Sequence, residues 1–291
     1  MSVTTSTRRN SVPLEVHTYA PGGTEMPPSE NERARTSLLN VTRRVLSMAP
    51  PIVLALLLLV SWYVGTAYGR VSSLIIPAPG DVLASLFYGL SSGLFLSNAL
   101  VTIQESLLGF LLALVVSLPL GYGLAKSRLL AAAVQPYLAA GQAIPAIVIA
   151  PLLSIWLGYG LVPIMIVCML VVFFPMVITT VLGVQTIDRD LIDAARVEGA
   201  SGWALLASIE FPLALPAILA GIRTGLTLSI TGALVGEFVS GGDQGLGALV
   251  LVAKDQLDTP FLFATLIILA ILAALYYSTS WLLVKLAEAV Y

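Results

Sequence analysis

Charged residues are scarce in this chain of 291 residues. Asp, Glu, Lys and Arg together make up only 10% of it, whereas hydrophobic residues make up 58%. Soluble domains typically carry about 25% charged residues. So few charges cannot cover a surface that faces water, which excludes a water-soluble globular domain and also a chain disordered throughout. The net charge of -2 lacks the positive excess of nucleic-acid-binding domains, so we expect no nucleic-acid partner.

Cysteine and histidine are almost absent. Cys168 is the only cysteine, so no disulfide can form within the chain. His17 is the only histidine and lies in a polar N-terminal stretch, which excludes a histidine-based metal site or catalytic dyad among the apolar segments. We therefore expect no catalytic residue, no metal and no cofactor.

Long apolar runs dominate the rest of the sequence. A helix needs about 20 apolar residues to cross a bilayer, and six runs come close to that length. They cover residues 49–68, 100–125, 129–157, 162–184, 217–239 and 261–284. The third run contains Pro136, Pro145 and Pro151, which favours a kinked or partly unwound helix over the alternative of two short helices. The sequence predicts an all-α polytopic membrane protein with six transmembrane helices.

The N-terminal stretch differs from the remainder, because it holds six arginines and has no apolar period. We expect a disordered cytoplasmic tail over residues 1–47 and a transmembrane domain over residues 48–291. If the tail lies inside and the spans alternate, only Arg70 and Lys254 of the 14 Lys and Arg residues lie outside. That distribution follows the positive-inside rule and predicts that both termini are cytoplasmic.

Two segments between the runs also have a pattern. Asp81 precedes a mildly amphipathic stretch and is expected to cap a short helix there. The glycine-rich loop over residues 240–260 ends in an apolar run to Ala253. That loop either turns back toward the membrane or lies on the surface with one helical turn.

The loop between the fourth and fifth runs, residues 185–216, mixes charged and apolar residues. Its pattern over residues 190–198 predicts a short, half-buried helix, and Gly199 suits the end of that helix because glycine adopts a left-handed backbone at little cost. Taken alone, these residues leave two alternatives open. The helix either packs on its own membrane domain or receives a partner protein on its small residues.

This loop resembles the cytoplasmic motif of ABC importer permeases, which reads E-A-A, three residues, G, nine residues, I-x-L-P. Residues 193–195 read Asp-Ala-Ala, Gly199 follows after three residues, and Ile209-Glu-Phe-Pro follows after nine more. Asp in place of Glu and Phe in place of Leu keep the chemical character. The resemblance covers about residues 50–290. Residues 76–83, 215–225 and 236–238 are similar to the nitrate, sulfonate and taurine branch.

The resemblance implies a type I ABC importer permease fold in the bacterial cytoplasmic (inner) membrane. It implies a non-catalytic subunit that pairs with a second, identical permease in membrane lipid. Two copies of a separate ATP-binding subunit would drive transport, and an extracytoplasmic binding protein would deliver a small solute. The branch takes sulfonate or nitrate-type anions and vitamins such as riboflavin or a pyrimidine thiamine precursor. The residues implied in ATPase coupling are Asp193, Ala194, Ala195, Glu198, Gly199, Ile209 and Pro212.

The fifth run carries four glycines that fall within about a 60° arc of a helix. They are Gly221, Gly225, Gly232 and Gly236. Such a stripe lets membrane helices pack closely, either within one subunit or at a dimer interface or solute pathway. Glu105, Arg223 and Glu237 lie near the ends of runs, where water is expected to reach them. Glu237 is a candidate pathway residue near the outer gate.

An ion-coupled secondary transporter is the alternative function. It predicts a coupling carboxylate at mid-membrane and an inverted repeat, and neither is evident in the sequence.

Overall fold

The computed structural model describes residue 50 and residues 53–69, 72–240 and 243–290. All regular elements in these ranges are helices. The predicted tail over residues 1–47 lies outside the described residues. The chain divides into a unit over residues 1–60 and a unit over residues 61–291. Of the first unit, the structure describes residue 50 and the beginning of helix α1 (Val53–Tyr68).

Four helices are long and apolar enough to cross a membrane. The first and second are α3 (Leu94–Lys126) and α6 (Leu161–Gln185). The third is a continuous helix, Gly202–Ser240, made of α8 (Gly202–Leu205), a π-helical turn (Leu206–Glu210) and α9 (Phe211–Ser240). The fourth is α11 (Thr259–Val290). These helices confirm the predicted all-helical, polytopic architecture.

The third apolar run forms two helices, α4 (Arg128–Ala143) and α5 (Ala146–Leu157), which are bent by 95°. The structure thus has the alternative of two short helices, and the favoured single kinked helix is wrong. Ile144 has an extended backbone directly before Pro145, because the proline ring disfavours helical dihedrals in the preceding residue. If this pair forms one span, the number of spans is five, and α1 is a shorter apolar helix. The count of six spans and the cytoplasmic termini stay predictions.

Helix α2 (Pro79–Ser91) lies between α1 and α3 in the chain and begins at Pro79. Proline suits this position because the first N–H groups of a helix have no partner within the helix. The residue that precedes the helix is Ala78, which makes no side-chain cap. The expectation that Asp81 caps this helix is therefore wrong. Asp81 lies in the first turn, where a negative charge interacts favourably with the helix dipole.

The loop after α9 contains α10 (Leu246–Asp255), of which five residues are buried. This helix packs against α3, α9 and α11. The apolar run in this loop is therefore a buried ten-residue helix, longer than the single turn of the surface-loop alternative.

The glycine stripe of α9 packs against α6 of the same chain. A Cβ atom added at Gly232 would lie 2.6 Å from Cα of Cys168, and one added at Gly236 would lie 2.8 Å from Cγ2 of Ile164. Gly225 faces Val172 and Gly221 faces Thr179 in the same way. The four glycines are buried, which favours the alternative of packing within one subunit and leaves this face closed to a second copy.

Candidate functional site

Helix α7 (Arg189–Val197) forms the first part of the loop that carries the sequence motif. The carboxylate of Asp188 caps its start by accepting a hydrogen bond from the N–H of Asp190 at 3.0 Å. Gly199 ends it with a left-handed backbone at φ +95°. The N–H of Gly199 donates to the carbonyl of Arg196, and that of Ala200 donates to the carbonyl of Ala195. This pair of bonds is a Schellman motif, so the predicted helix and its glycine end are confirmed.

One face of α7 packs on its own chain. Ala195 is buried and Ile192 packs against the apolar cluster of Val184, Ile187, Ala214 and Ile218. The other predicted coupling residues of this helix, Asp193, Ala194, Glu198 and the following Gly199, are exposed. Asp193 pairs with Arg196 at 3.1 Å. That pair is exposed at both ends and contributes little to stability.

Large apolar side chains lie exposed on the same loop. Val197 is 89% exposed and Trp203 is 78% exposed, and Leu191 also lies open. These apolar side chains are not covered by other described residues of this chain. The loop thus combines a helix that packs on its own membrane domain with exposed apolar side chains. A partner protein on the small residues of this helix stays a prediction.

The second part of the motif begins in the π-helical turn and ends in α9. Ile209 in the turn and Pro212 at the start of α9 are half-buried, whereas Glu210 between them is completely buried. The carboxylate of Glu210 accepts a hydrogen bond from the hydroxyl of Tyr122 at 2.7 Å and forms an ion pair with Lys126. Sequence reasoning missed Glu210, although a lone acidic residue before an apolar run is a signal for an ion pair.

A second polar cluster lies where the N-terminus of α10 meets α3 and α9. The carboxylate of Glu237 accepts a hydrogen bond from the hydroxyl of Thr102 at 2.6 Å and from the N–H groups of Gly247 and Ala248. Asn98 accepts from the N–H of Gly245 at 2.8 Å, and Thr102 accepts from that of Leu246 at 2.9 Å. Side chains of α3 and α9 thus satisfy the N–H groups that the start of a helix leaves free.

Glu105 lies close to Glu237, near enough for the two carboxyl groups to interact electrostatically. Glu105 is 4% exposed and Glu237 is completely buried. The expectation that water reaches these two residues is therefore wrong, because α10 and the neighbouring helices cover them. The carboxyl oxygen Oε2 of Glu105 has no hydrogen-bond partner among the described residues.

Arg223, the third charged residue singled out in the sequence, links α9 to α11. Its guanidinium donates to the hydroxyl of Tyr277 at 2.5 Å and lies 4.7 Å from the centre of the tyrosine ring. Arg223 is half-buried, so its side chain is partly accessible from outside the protein.

Comparisons with known proteins agree with this arrangement. Residues 113–290 match the family of binding-protein-dependent transport system inner membrane components. The riboflavin transport system permease protein RibX of Chloroflexus aurantiacus is 44% identical over 234 residues, which are 80% of this chain and 87% of that protein. The putative aliphatic sulfonates transport permease protein SsuC of Bacillus subtilis is 28% identical over 78% of this chain and 80% of its own length.

A solved structure has the same fold. The crystal structure of an amino acid ABC transporter with histidines superposes with a TM-score of 0.51 at 18% sequence identity. The match covers 72% of this chain and 99% of that one.

Proposed function

We propose that this chain, an ABC transporter permease, imports a small vitamin-like solute together with partner subunits. It belongs to the family of binding-protein-dependent inner membrane transport components. The partners are two copies of a separate ATPase subunit, an extracytoplasmic binding protein and a second, identical permease. ATP hydrolysis takes place on the ATPase subunits. Membership of this family favours ATP-driven import over the ion-coupled carrier.

The observation that supports this proposal is the exposed side of the motif loop. Leu191, Val197 and Trp203 are exposed, while the buried side of α7 attaches the loop to the membrane domain. An ATPase subunit that covers this surface would move α7 as it closes on ATP. Because α7 is packed on α6 and α9 residues, its movement would be transmitted to both spans.

Each predicted coupling residue has a role in this arrangement. Ala194 permits close approach of the partner, since it is small and exposed. Gly199 reverses the chain at the end of α7, and the charges of Asp193 and Glu198 meet polar groups at the rim. Ile209 in the turn before α9 and Pro212 in the first turn of α9 are half-buried and position the fifth apolar run relative to the loop.

We further propose that the solute is riboflavin or a similar uncharged, hydrogen-bonding vitamin. Two observations support this choice over a sulfonate or nitrate-type anion. The riboflavin permease is 44% identical to this chain and the sulfonate permease 28%. The buried ionisable cluster between α3 and α9 consists of Glu105 and Glu237, which would repel an anion.

Affinity purification of the tagged chain from its native host tests the coupling proposal. The Val197→Asp variant places a charge on the exposed side of the motif loop, and Ser91→Asp places the same charge on an exposed residue of α2 as the control. We expect Val197→Asp to lower the recovered ATPase about tenfold or more at unchanged permease yield, because burying an unpaired charge at an interface is costly. Ser91→Asp should recover the wild-type amount.

Two results would contradict the proposal. One is wild-type permease that recovers no ATPase in any of several mild detergents. The other is undiminished ATPase recovery by Val197→Asp. Uptake of radiolabelled riboflavin and taurine, compared between the host and a strain lacking this gene, tests the solute. We expect only riboflavin uptake to fall.

A further inference from the structure

A groove of about 600 Å³ runs along the contact between α9 and α11. On α9 it extends from Pro216 to Leu228, which is about 18 Å of helix. Arg223 lies between these two residues, and the hydroxyl of Tyr277 on α11 contacts it there. Apolar side chains line both ends, with Val284 beside Pro216 and Leu228 at the other end. No Asp or Glu is among the described residues that line the groove, so Arg223 provides its charge.

The groove lies on a side of α9 that is turned away from α6. At about 100° per residue, its lining residues on α9 are centred about 130° from the glycine stripe that packs on α6. Thr224 and Tyr277 in its lining are exposed. Lipid therefore contacts this groove wherever no other protein covers it.

Arg223 lies near the end of the spans that carries the motif loop. Gly221, two residues before it, packs on Thr179 of α6, and Thr179 is six residues from Gln185 at the end of that helix. Six residues correspond to about 9 Å of helix. On α11, the exposed Trp281 follows toward the same end, and tryptophan is typical of the headgroup level of a membrane. The long side chain of Arg223 can thus place its guanidinium among the headgroups of one leaflet.

The guanidinium of Arg223 has unused hydrogen-bond donors. It carries five N–H groups, and its hydrogen-bond acceptor among the described residues is the hydroxyl of Tyr277. No carboxylate among these residues forms an ion pair with it. The hydroxyls of Thr224 and Thr227 donate to backbone carbonyls of α9. An unpaired charge within a membrane is unfavourable, whereas a phosphate group accepts two N–H groups of an arginine side by side.

We propose that this groove binds an anionic phospholipid of the leaflet on the motif-loop side, with its phosphate on Arg223 and an acyl chain along the apolar wall toward Leu228. Basic pockets between membrane helices bind such headgroups. The ligand has the chemistry of phosphatidylglycerol, a phosphate diester without a positive group. Phosphatidylethanolamine binds more weakly, because its ammonium is repelled by the positive charge of the groove. The site depends neither on the solute nor on the ATPase proposed above.

Titration of the full-length chain in detergent with phosphatidylglycerol or phosphatidylethanolamine, followed by native mass spectrometry, measures the Kd for each lipid. Wild type should prefer phosphatidylglycerol. Arg223→Gln removes the charge and should weaken phosphatidylglycerol binding about tenfold. Thr224→Trp fills the groove from an exposed position and leaves the charge in place. It should also weaken binding, which keeps the test informative if Arg223→Gln fails to fold.

Lys285→Gln is the matched control, because Lys285 is an exposed cation toward the same end of α11 but lies outside the groove. Its Kd should stay within about twofold of wild type, since exposed charges are screened. Glycerophosphate, which has the phosphate without acyl chains, should not displace the lipid.

The lipid site is overturned if wild type binds both lipids equally, or if Arg223→Gln and Thr224→Trp bind phosphatidylglycerol normally. An equal loss in Lys285→Gln would reduce the effect to net charge, and displacement by glycerophosphate would make this a site for free phosphate. The same spectra report the number of permease copies. If the two groove variants change the amount of dimer and leave lipid binding unchanged, a second copy covers the groove and the proposal is wrong.

Discussion

Replacing Lys126 by methionine is expected to destabilise the chain far more than the same change at an exposed lysine. Lys126 ends α3 and pairs with Glu210 in the π-helical turn, whose carboxylate is completely buried. The substitution keeps the length and apolar stem of the side chain but removes its charge. Glu210 would then be left with the hydroxyl of Tyr122 as its remaining partner among the described residues.

The structure sets the size of the effect. Removing one partner of a buried ion pair costs about 3–5 kcal/mol, and a surface pair is worth about 0–1 kcal/mol. The side chain of Lys126 is 32% exposed, whereas that of Glu210 is 0% exposed. Lys126→Met leaves the buried charge unpaired and should cost about 3 kcal/mol, the low end because Tyr122 still donates. Glu210→Gln leaves only the hydrated lysine unpaired and should cost about 1–2 kcal/mol.

Unfolding in mixed micelles by titration with sodium dodecyl sulfate, followed by circular dichroism, measures these free energies. Lys285→Met is the control, because the ammonium of Lys285 lies 4.0 Å from the centre of the Trp281 ring and an exposed cation–π contact is worth about 0.5–1 kcal/mol. If Lys126→Met costs no more than Lys285→Met, or less than Glu210→Gln, the reasoning from the buried carboxylate is refuted.

Two further substitutions test the packing between the spans by the same measurement. Gly236→Ala should destabilise the chain by about 1–3 kcal/mol because its Cβ would meet Ile164. Gly123→Ala should be neutral or stabilising, because its Cβ would lie 3.4 Å from its nearest neighbour. Equal effects would contradict close packing of α9 on α6. Thr102→Val should lower the free energy of unfolding by about 2–4 kcal/mol, because it removes a donor to the buried Glu237 and an acceptor for α10. A decrease below about 1 kcal/mol would show that the cluster does not hold α10 in place.

Local signals in the sequence predicted the local structure well. The charged and apolar pattern before Gly199 gave a helix that ends in a left-handed turn, because capping depends on residues within a few positions. The break near Pro145 follows from one residue and its predecessor, but the sequence favoured one kinked helix over the two helices that the structure has. The apolar runs predicted the long spans, because a helix that crosses a membrane is apolar along the length that contacts lipid.

Contacts between residues far apart in the chain could not be predicted from the sequence. Thr102 and Glu237 are 135 residues apart, and Lys126 and Glu210 are 84 residues apart. Which helices bring such pairs together depends on how the spans pack, and no local pattern encodes it. Glu105 and Glu237 were for this reason expected near water, whereas α10 covers them. The role of Glu210 was not predictable either, because its partners Tyr122 and Lys126 lie on a different helix.

The bend between α4 and α5 has a mechanical consequence. None of the 16 residues of α4 is buried, so this helix adds almost nothing to the core that holds α3, α6 and α9 together. Ser127 joins α4 directly to α3, and α4 also packs against α3 and α6, where the ring of Phe174 lies against Gly141. A displacement of α4 would therefore be passed on to α3 and α6, and most of its surface is left for lipid or another molecule to cover.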